Sequence, residues 1–448
     1  MALSHTTVPS LTIPLIGNCE DQRRLPDSAL NCSSDNTTSF SVTLFHGINA
    51  LSGVGILSVP YALAAGGWSS LILLFLIAAA AFYSGLLIQR CMDIDPTITT
   101  YPDIGEIAFG KKGRILVSVF MYTELYLVAI GFLILEGDNL QNLLPHFEFD
   151  IGDLHLGGRQ CFVIIVALII LPTVWLDNLS LLSYVSASGV LASTIIFVSI
   201  LWVAASGAVE FNHNTELINL KGFPTAVSLY AFCYCAHPVF PTLYTSMKKK
   251  HQFSYVSEPL KIRYILQQLI LNISQALIIC FTFCTFVYAS VAVLGYLMFG
   301  QDVKSQVTLN LPTKLLGSRI AIYTTLVNPI SKYALMVTPI VDAAKLWCPL
   351  IRGKREQSYG MGIGTVLVIS SVIIAVTVPL FGDLMTLVGA VLSMTGSIII
   401  PCLCYLKMSR AYRSWSVETV LLESIASLGV VVAILGTYTS VLAFVLDM

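Results

Sequence analysis

Two stretches of the chain combine helix-interrupting residues with apolar neighbours, a pattern that could bind a small charged ligand. Residues 46–60 read HGINALSGVGILSVP and hold three glycines and a proline, and residues 230–241 read YAFCYCAHPVFP and hold two prolines. Unwound backbone inside a membrane is tolerated only where it is buried or lines a cavity. Its freed N–H groups, with the N-terminus of the following half-helix, attract a carboxylate. Close helix packing through small residues is the alternative explanation of the first stretch.

The candidate substrate-binding residues lie at these two interruptions. Glycine lets the backbone approach a ligand closely, so backbone around the first interruption is the candidate for binding a carboxylate, with two side chains adding polar contacts. Side chains of the second interruption could line a pocket, although ordinary packing explains each of them equally well. The candidates are Asn49, Ser52, Gly53, Val54, Gly55, Phe232, Tyr234 and Ala236.

Three ionisable residues in apolar segments are candidates for proton coupling, because such groups are costly inside a membrane and mark function. Lys332 could bind and release a proton, or it could pair with backbone carbonyls or extend to the interface. Glu124 is a second proton-carrier candidate, with a hydrogen-bonded structural carboxylate as the alternative. His237 lies inside the second interruption and could titrate near neutral pH, or it could be a structural histidine.

Composition defines the elements that must position these residues. The chain has 448 residues, of which 56% are hydrophobic and only 11% charged. Soluble domains carry about 25% charged residues, so a cytosolic enzyme and a nucleic-acid binder are excluded and a polytopic membrane protein is indicated. No phosphate loop, zinc motif or catalytic triad pattern is present in the sequence. We therefore predict an all-α membrane protein that is not an enzyme.

Apolar runs of about 18–25 residues recur after a polar tail, the length that a membrane-crossing helix needs. Residues 1–39 are rich in Ser, Thr, Asn, Asp and Pro, and they are predicted to form a disordered cytosolic tail. About eleven spans are predicted after it. They lie near 41–66, 68–90, 115–135, 160–176, 181–205, 223–246, 276–299, 318–340, 362–380, 384–406 and 418–446.

The basic residues predict the orientation of these spans. With the N-terminus in the cytosol, 18 of the 24 Lys and Arg residues fall in cytosolic segments, five fall on the opposite side and Lys332 is intramembrane. Cytosolic loops of membrane proteins are enriched in Lys and Arg. The split therefore favours a cytosolic N-terminus, a non-cytosolic C-terminus and an odd number of spans.

The two interruptions fall at similar depths in spans 1 and 6. Gly53 lies 13 residues after position 40, and Ala236 lies 14 residues after position 222. Paired interrupted segments in two halves indicate an inverted-repeat transporter with a central site. Residues 40–448 would then form one transmembrane transporter domain. It would comprise repeat one at about 40–206, repeat two at about 222–407 and an extra helix at about 418–446.

Several motifs carry a family resemblance over nearly the whole chain after the tail. They are Gly47-Ile48-Asn49-Ala50 through Pro60-Tyr61-Ala62, Tyr101-Pro102-Asp103-Ile104-Gly105, Phe240-Pro241 to Met247, Gly295-Tyr296-Leu297-Met298-Phe299-Gly300, and Asn328-Pro329 with Lys332-Tyr333-Ala334-Leu335. With them the sequence resembles the amino acid/auxin permease family, most closely its plant and fungal vacuolar branch, relatives of the vesicular inhibitory amino acid transporter. The resemblance implies a LeuT-like fold of five plus five helices and one extra helix.

The resemblance also implies a function and a location. It implies proton-coupled transport of neutral amino acids across the vacuolar membrane, with no cofactor, no nucleic acid and no obligate protein partner. In LeuT-like folds the region of Lys332 and span 1 holds a sodium ion, which the ammonium group would replace. Proton antiport would load the lumen, but the sequence does not give that direction. An amino-acid-sensing receptor without flux is the alternative, and it would be favoured by a long structured tail.

Two connecting segments carry further expectations. About 20 residues near 255–275 are additional to the family pattern. They could form an interfacial amphipathic helix, or they could be an artefact of the gene model. The segment from Tyr101 to Arg114, between spans 2 and 3, carries mixed charge and is predicted to be a solvated cytosolic connection.

Overall fold

The computed structural model describes residues 40–147, 149–151, 154–175, 179–212, 214–248, 259–347, 354–378, 380–410 and 416–447. The predicted tail at 1–39 lies outside these ranges. Fourteen α-helices account for most of the described chain. They are α1 Phe40–Leu51, α2 Gly55–Gly66, α3 Ser70–Ile94, α4 Tyr101–Leu143, α5 Gly158–Val174, α6 Leu179–Ala205, α7 Phe223–Cys233, α8 Phe240–Lys248, α9 Pro259–Phe299, α10 Leu316–Trp347, α11 Lys354–Thr377, α12 Phe381–Leu387, α13 Ile400–Met408 and α14 Val417–Asp447.

The helices confirm a multi-pass membrane protein. Within the described residues, seven helical segments are long and apolar enough to cross a membrane, and α1 and α2, bent by 43° at their junction, form an eighth as a pair. Large apolar side chains such as Ile72, Phe286 and Ile434 are more than half exposed on the outside of the bundle, where lipid would cover them. The seven segments are Ser70–Ile94, Tyr101–Leu143, Ser188–Ala205, Ser274–Asp302, Glu356–Thr377, Phe381–Met408 and Val417–Ala443.

Each of the eleven predicted spans coincides with a helix or an interrupted pair. Spans 4, 6 and 8, at α5, α7–α8 and α10, are not among the eight segments that meet the length and hydropathy requirement. The count of eleven therefore stays a prediction. Both halves of the chain run in the same order, one interrupted helix followed by four further spans. An inverted relation between the halves also stays a prediction.

Three segments differ from expectation. A two-stranded antiparallel hairpin, β1 Phe149–Ile151 and β2 Leu154–Leu156, joins α4 to α5, so the fold is not purely helical. The predicted solvated connection at Tyr101 is instead the first turn of α4, where the side chain is 2% exposed and its hydroxyl donates to Gly396 O. A left-handed Gly110, with φ of 71°, then kinks the helix. A favourable capping box at Thr100 and Asp103 explains why α4 begins there.

The additional residues near 255–275 do not form a separate helix. From Pro259 onward they are the first part of α9, which continues for 41 residues to Phe299. Residues 255–258 lie outside the described ranges.

The tenth span is irregular in a way that bears on the candidate site. Between α12 and α13 the backbone follows π-helical geometry at Val388–Ser393 and again at Thr395–Ile399. π-Helical turns are rare. They leave some backbone carbonyls without the hydrogen bond that they would accept in an α-helix. Here the carbonyls of Gly396 and Ser397 accept side-chain hydrogen bonds from Tyr101 and Ser84. The tenth span is thereby fixed to α3 and α4.

The interrupted pairs lie at the centre of the bundle. The α1–α2 pair packs against α6 and α9, and α2 packs against α7, while α6 packs along α10. Side chains around the first interruption are almost fully buried, including Leu51 at 1% and Ile56 at 1% exposed. The packing therefore surrounds both interruptions with other helices.

Candidate functional site

The first interruption, which we call break 1, comprises Ser52–Val54 between α1 and α2. Its backbone leaves the α-helical ladder, since Gly53 N donates to Leu51 O over 2.8 Å and Leu57 N donates to Val54 O over 3.0 Å. The first amides of α2 have no partners one turn earlier within their own helix, as at any helix N-terminus. The sequence prediction of an interrupted first span is confirmed by this geometry.

Break 1 presents its carbonyl oxygens to a buried ammonium group. Lys332 on α10 is 3% exposed, and its Nζ donates to Asn49 O over 3.2 Å and to Ser52 O over 3.0 Å. Ser193 on α6 adds a third donor, its Oγ lying 3.2 Å from Ser52 O. Hydrogen bonds from a charged donor are stronger than neutral ones, and they offset part of the cost of burying the charge. Lys332 therefore lies against span 1, as the resemblance implied, and it pairs with backbone carbonyls, as its alternative structural role predicts. Its role in proton coupling stays a prediction.

A glycine on α6 makes this arrangement possible. A Cβ added at Gly189 would meet the side chain of Asn49 and would lie 3.1 Å from Lys332 Cε. Any larger residue would push one of these groups away from the break. Gly189 carries no signal of this role in the sequence, because only its contacts with Asn49 and Lys332 reveal it.

The second interruption, which we call break 2, comprises Tyr234–Ala236 between α7 and the short 3-10 turn His237–Val239 that leads into α8. Tight backbone bonds replace the helical ladder, with Ala236 N donating to Tyr234 O over 2.9 Å. Tyr234 is fully buried, its ring stacks on Phe281 and its hydroxyl lies 2.8 Å from Thr285 Oγ1. Aromatic packing against α9 therefore holds break 2 in place.

The two breaks meet. A Cβ added at Gly55, the first residue of α2, would lie 2.7 Å from Cys233 Sγ and 3.0 Å from Cys233 Cα at the end of α7. Only glycine allows so close an approach of the two backbones. The hydroxyl of Tyr288 on α9 bridges them, donating to Leu51 O at break 1 and lying 3.3 Å from Cys233 O at break 2.

Tyr288 was missed by the sequence analysis. It is 0% exposed and lies in the apolar run of α9. A tyrosine in such a run carries one signal, because a buried hydroxyl needs a hydrogen-bond partner. The identity of those partners, carbonyls of two distant helices, depends on tertiary packing.

The predicted substrate-binding residues thus line two adjoining breaks. Asn49 and Ser52 are 6% and 4% exposed, and Asn49 Oδ1 and Ser52 Oγ have no hydrogen-bond partner among the described residues. Around Gly53 a Cβ would meet nothing within 4 Å. Phe232 and Ala236 are buried at 4% each in break 2 and its preceding turn. Contact of these residues with a substrate stays a prediction.

Glu124 belongs to a different part of the bundle from Lys332. It is 4% exposed on α4, and Ser393 Oγ in the π-helical stretch donates to its Oε1 over 2.6 Å. A Cβ at Gly396 would lie 3.6 Å from Glu124 Oε2. The Glu124 carboxyl therefore lies against the tenth span. In the same span, Gly396 O accepts a hydrogen bond from the Tyr101 hydroxyl.

His237 connects break 2 to α3 and the tenth span. Its ring is 0% exposed, with Nε2 2.8 Å from Ser84 Oγ and 3.0 Å from Ala81 O. The Ser84 hydroxyl lies 2.6 Å from Ser397 O. Because Nε2 faces a carbonyl, it carries the ring proton and donates. His237 does not contact Lys332 or Glu124 through any hydrogen bond found among the described residues.

A small cavity lies on the α8 side of the breaks. It has a volume of about 30 Å³, room for one or two water molecules but not for an amino acid. In this conformation the space between α1, α3, α8 and α9 therefore admits water but not an amino acid. Its lining includes Gly47, Gly85, Phe240, Tyr244 and Cys280.

Interrupted helices that meet at the centre of an apolar bundle, with a buried cation on their carbonyls, are features of a membrane transporter. Comparison of the sequence with known families gives the same class. The profile of the family described as "Transmembrane amino acid transporter protein" matches residues 36–445. The chain belongs to this family, the amino acid/auxin permeases, as its motifs suggested.

Curated relatives from Arabidopsis thaliana align along almost the whole chain. Amino acid transporter AVT1J is 56% identical over 428 residues, covering 95% of this chain and 96% of the relative. Amino acid transporter AVT1I is 54% identical over 402 residues, covering 90% and 94%. Amino acid transporter AVT1B is 41% identical over 452 residues, covering 97% and 80%. These relatives are named as transporters, not enzymes.

Proposed function

We propose that this protein is a secondary active, proton-coupled transporter of neutral amino acids in the vacuolar membrane. Membership of the family and the names of the relatives support amino acid transport. The observation that carries the proposal is the Lys332 ammonium on Asn49 O and Ser52 O at break 1. Because this cation is titratable, binding or loss of its proton would change the hydrogen bonds that hold the interrupted helix α1–α2.

In this proposal the amino acid substrate binds where break 1 and break 2 adjoin. Of the candidate backbone at Ser52–Gly55, the N–H groups of Ser52 and Gly53 already donate to Ile48 O and Leu51 O. The substrate carboxylate would therefore accept hydrogen bonds from the N–H groups of Val54 and Gly55, at the positive N-terminal end of α2. Asn49 and Ser52 would add side-chain contacts, since Asn49 Oδ1 and Ser52 Oγ have no partner among the described residues. Phe232, Tyr234 and Ala236 would line the side-chain pocket. Their apolar and aromatic character fits neutral amino acids better than charged ones.

Proton coupling would act through the bonds that hold break 1. Neutral Lys332 has one fewer N–H and no charge, so its hold on Asn49 O and Ser52 O weakens on deprotonation. The α1 half-helix is then released, and rocking of a bundle that contains both broken spans would expose the site to the two sides in turn. Glu124, which contacts the tenth span through Ser393, is the second proton carrier in this scheme, and His237 is the third candidate.

Location and orientation rest on the resemblance and on charge. The vacuolar membrane follows from the branch that the motifs resemble, and the cytosolic N-terminus follows from the 18 basic residues on one side. In this orientation the α8 side of the breaks is cytosolic. The small cavity there, about 30 Å³, would then correspond to a state shut toward the cytosol.

The full-length protein reconstituted in liposomes tests the proposal. Uptake of labelled alanine, glutamine, leucine and tyrosine is measured with and without an imposed pH gradient, with arginine and aspartate for comparison. We expect gradient-dependent uptake of the neutral amino acids that a protonophore abolishes. Binding without gradient-dependent flux would contradict transport and would favour the amino-acid-sensing receptor. Preferential uptake of arginine or aspartate would contradict the neutral substrate class.

A further inference from the structure

Glu136, twelve residues beyond Glu124 on α4, is a buried carboxyl that the proposed mechanism does not use. Glu136 is 0% exposed, and neither Oε1 nor Oε2 has a hydrogen-bond partner among the described residues. Glu124, in contrast, accepts a hydrogen bond from Ser393. The same helix therefore carries one buried carboxyl with a donor and one without.

The polar side chains that follow Glu136 on α4 form hydrogen bonds with other residues. Asp138 accepts from Arg159 Nε over 2.6 Å and from Gln306 Nε2 over 2.8 Å. Asn139 Nδ2 donates to Gln306 Oε1 over 2.7 Å and to Leu135 O over 2.8 Å. This network ties α4 to α5 and to the turn Val307–Leu309, and Glu136 takes no part in it.

Glu136 is also isolated from charge. At this end of the bundle the packed elements carry Asp138 on α4, Arg159 on α5, Arg319 on α10 and Asp383 on α12. Asp138 and Arg159 pair with each other, and Arg319 donates to Thr313 O. Neither carboxyl oxygen of Glu136 has a hydrogen-bond partner among the described residues, and none of these charged side chains bonds to it.

An ionised Glu136 carboxylate would be strongly destabilised in this buried position without hydrogen-bond donors. Burying a charge without a counter-ion or hydrogen bonds costs several kcal/mol or more, whereas a neutral carboxyl costs far less. The conformation described here therefore accommodates Glu136 as the neutral acid. Loss of its proton requires water or a donor to reach it, which means opening this end of α4.

Two further side-chain oxygens, one on α4 and one on the turn that packs against it, have no hydrogen-bond partner among the described residues. Asn139, one turn after Glu136, has an Oδ1 without a partner, and so does Thr308 Oγ1 on the adjoining turn. Movement of the helices at this end of α4 would let water reach these polar oxygens and the Glu136 carboxyl, and water can accept the carboxyl proton.

We propose that Glu136 binds the transported proton at the end of α4 opposite the Tyr101 terminus. Release of that proton is tied to opening of this end of the bundle, which is the non-cytosolic side in the predicted orientation. The inference rests on the proposed function, because it assigns a further proton site to the same transport cycle. It differs from the Lys332 site, which lies at break 1 on other helices.

The test compares Glu136→Gln with wild type in proteoliposomes, using the amino acid among alanine, glutamine, leucine and tyrosine that wild type carries fastest. Two assays are run. Counterflow exchange at equal pH needs no net proton movement, whereas gradient-driven accumulation, with a pH dye inside the vesicles, requires it. We expect Glu136→Gln to keep counterflow while accumulation and amino-acid-dependent proton flux fall to the level of protein-free vesicles.

Two further variants serve as controls. Glu423→Gln makes the same chemical change at an exposed carboxyl on α14 and is expected to match wild type in both assays. Glu136→Asp keeps a titratable group and is expected to retain proton flux. If Glu136→Gln and Glu136→Asp lose both assays alike and melt earlier than wild type, Glu136 is structural and the inference is wrong.

The remaining outcomes separate this inference from the proposed function. Proton flux in wild type that persists in Glu136→Gln overturns the Glu136 assignment alone. Counterflow in wild type without any proton flux overturns proton coupling itself and the Glu136 assignment with it. Accumulation driven by a sodium gradient at equal pH would identify the transported cation as sodium and would also overturn the inference.

Discussion

At break 1 the carbonyls of Asn49 and Ser52 accept hydrogen bonds from a charged ammonium, whereas at break 2 Cys233 O faces the neutral hydroxyl of Tyr288. The first break is therefore held by a group whose strength as a donor depends on a proton. The second is held mainly by groups that keep their charge state, including the Tyr234 hydroxyl on Thr285 and its ring on Phe281.

In the proposed mechanism, this difference in hydrogen-bond donors would give the two interrupted helices distinct tasks. A proton-dependent hold suits the helix that responds to coupling, since deprotonation weakens two of its bonds at once. Aromatic packing suits the helix that shapes the substrate pocket, because rings give fixed walls that do not change with pH. Tyr288 contacts both breaks with a single hydroxyl proton, which it can donate to only one carbonyl at a time.

Replacing the cation gives the largest expected effect. Lys332→Met removes the ammonium from Asn49 O and Ser52 O while keeping an apolar side chain of similar length. We expect gradient-driven transport to be abolished. Thermal stability should change little, because the lost hydrogen bonds, worth about 1.5–3 kcal/mol each, are offset by relief from burying a charge.

Lys332→Arg is the matched control. It keeps the charge but does not release its proton near neutral pH, so it should support substrate binding without gradient coupling. Transport by Lys332→Met with the pH dependence of wild type would exclude a proton-coupling role for this residue.

The contact between the breaks provides the next largest effect. At Gly55 a Cβ would lie 3.0 Å from the backbone of Cys233, whereas at Gly53 it would meet nothing within 4 Å. We therefore expect Gly55→Ala to destabilise the protein by about 1–3 kcal/mol and to reduce transport strongly. Gly53→Ala should retain the fold, with a raised KM if the substrate carboxylate lies against that backbone.

Melting temperature and uptake kinetics measured on both variants check this pair. Cys233→Ala added to Gly55→Ala removes the clash with sulfur but not the one with the backbone, so it should restore stability only in part. Equal stability of the two glycine variants would mean that the breaks are not in contact as described.

The sequence predicted the interruptions because their cause is local. Three glycines and a proline in 46–60, and two prolines in 230–241, weaken a helix whatever surrounds it. Lys332 could also be identified, since an ionisable residue in an apolar run is costly wherever it packs. For these residues the residue type and its immediate neighbours are enough to predict an unusual role.

The rest depended on tertiary contacts. Tyr288 and Gly189 are ordinary residues in apolar helices, and they matter only because α9 and α6 pack against the breaks. Tyr101 was assigned to a solvated connection because charged neighbours surround it, yet its side chain is buried beneath the tenth span. The Gly396 carbonyl that it contacts lies in π-helical backbone, and no residue pattern in this span indicates that geometry.

A smaller effect is expected at the residue that bridges the breaks. Tyr288→Phe removes the hydroxyl that faces Leu51 O and Cys233 O, whereas Tyr234→Phe removes only the bond to Thr285. Neutral hydrogen bonds contribute about 1 kcal/mol each, and buried acceptors left unpaired cost more. We expect Tyr288→Phe to lose more stability and more transport rate than Tyr234→Phe, measured by melting and by maximal uptake. The reverse order would show that break 2 depends on α9 through Tyr234 alone.

The smallest effect concerns the one titratable group of break 2. His237 was predicted as a candidate for proton coupling, yet its Nε2 is committed to Ala81 O and Ser84, a role that a neutral ring performs. His237→Gln keeps an N–H donor of similar reach but cannot titrate. We expect a modest loss of uptake rate with the pH profile of wild type retained, whereas His237→Leu, which has no donor, should also lower the melting temperature. A flattened pH profile in His237→Gln at unchanged stability would assign a proton to break 2, and the division of tasks between the two breaks would then be wrong.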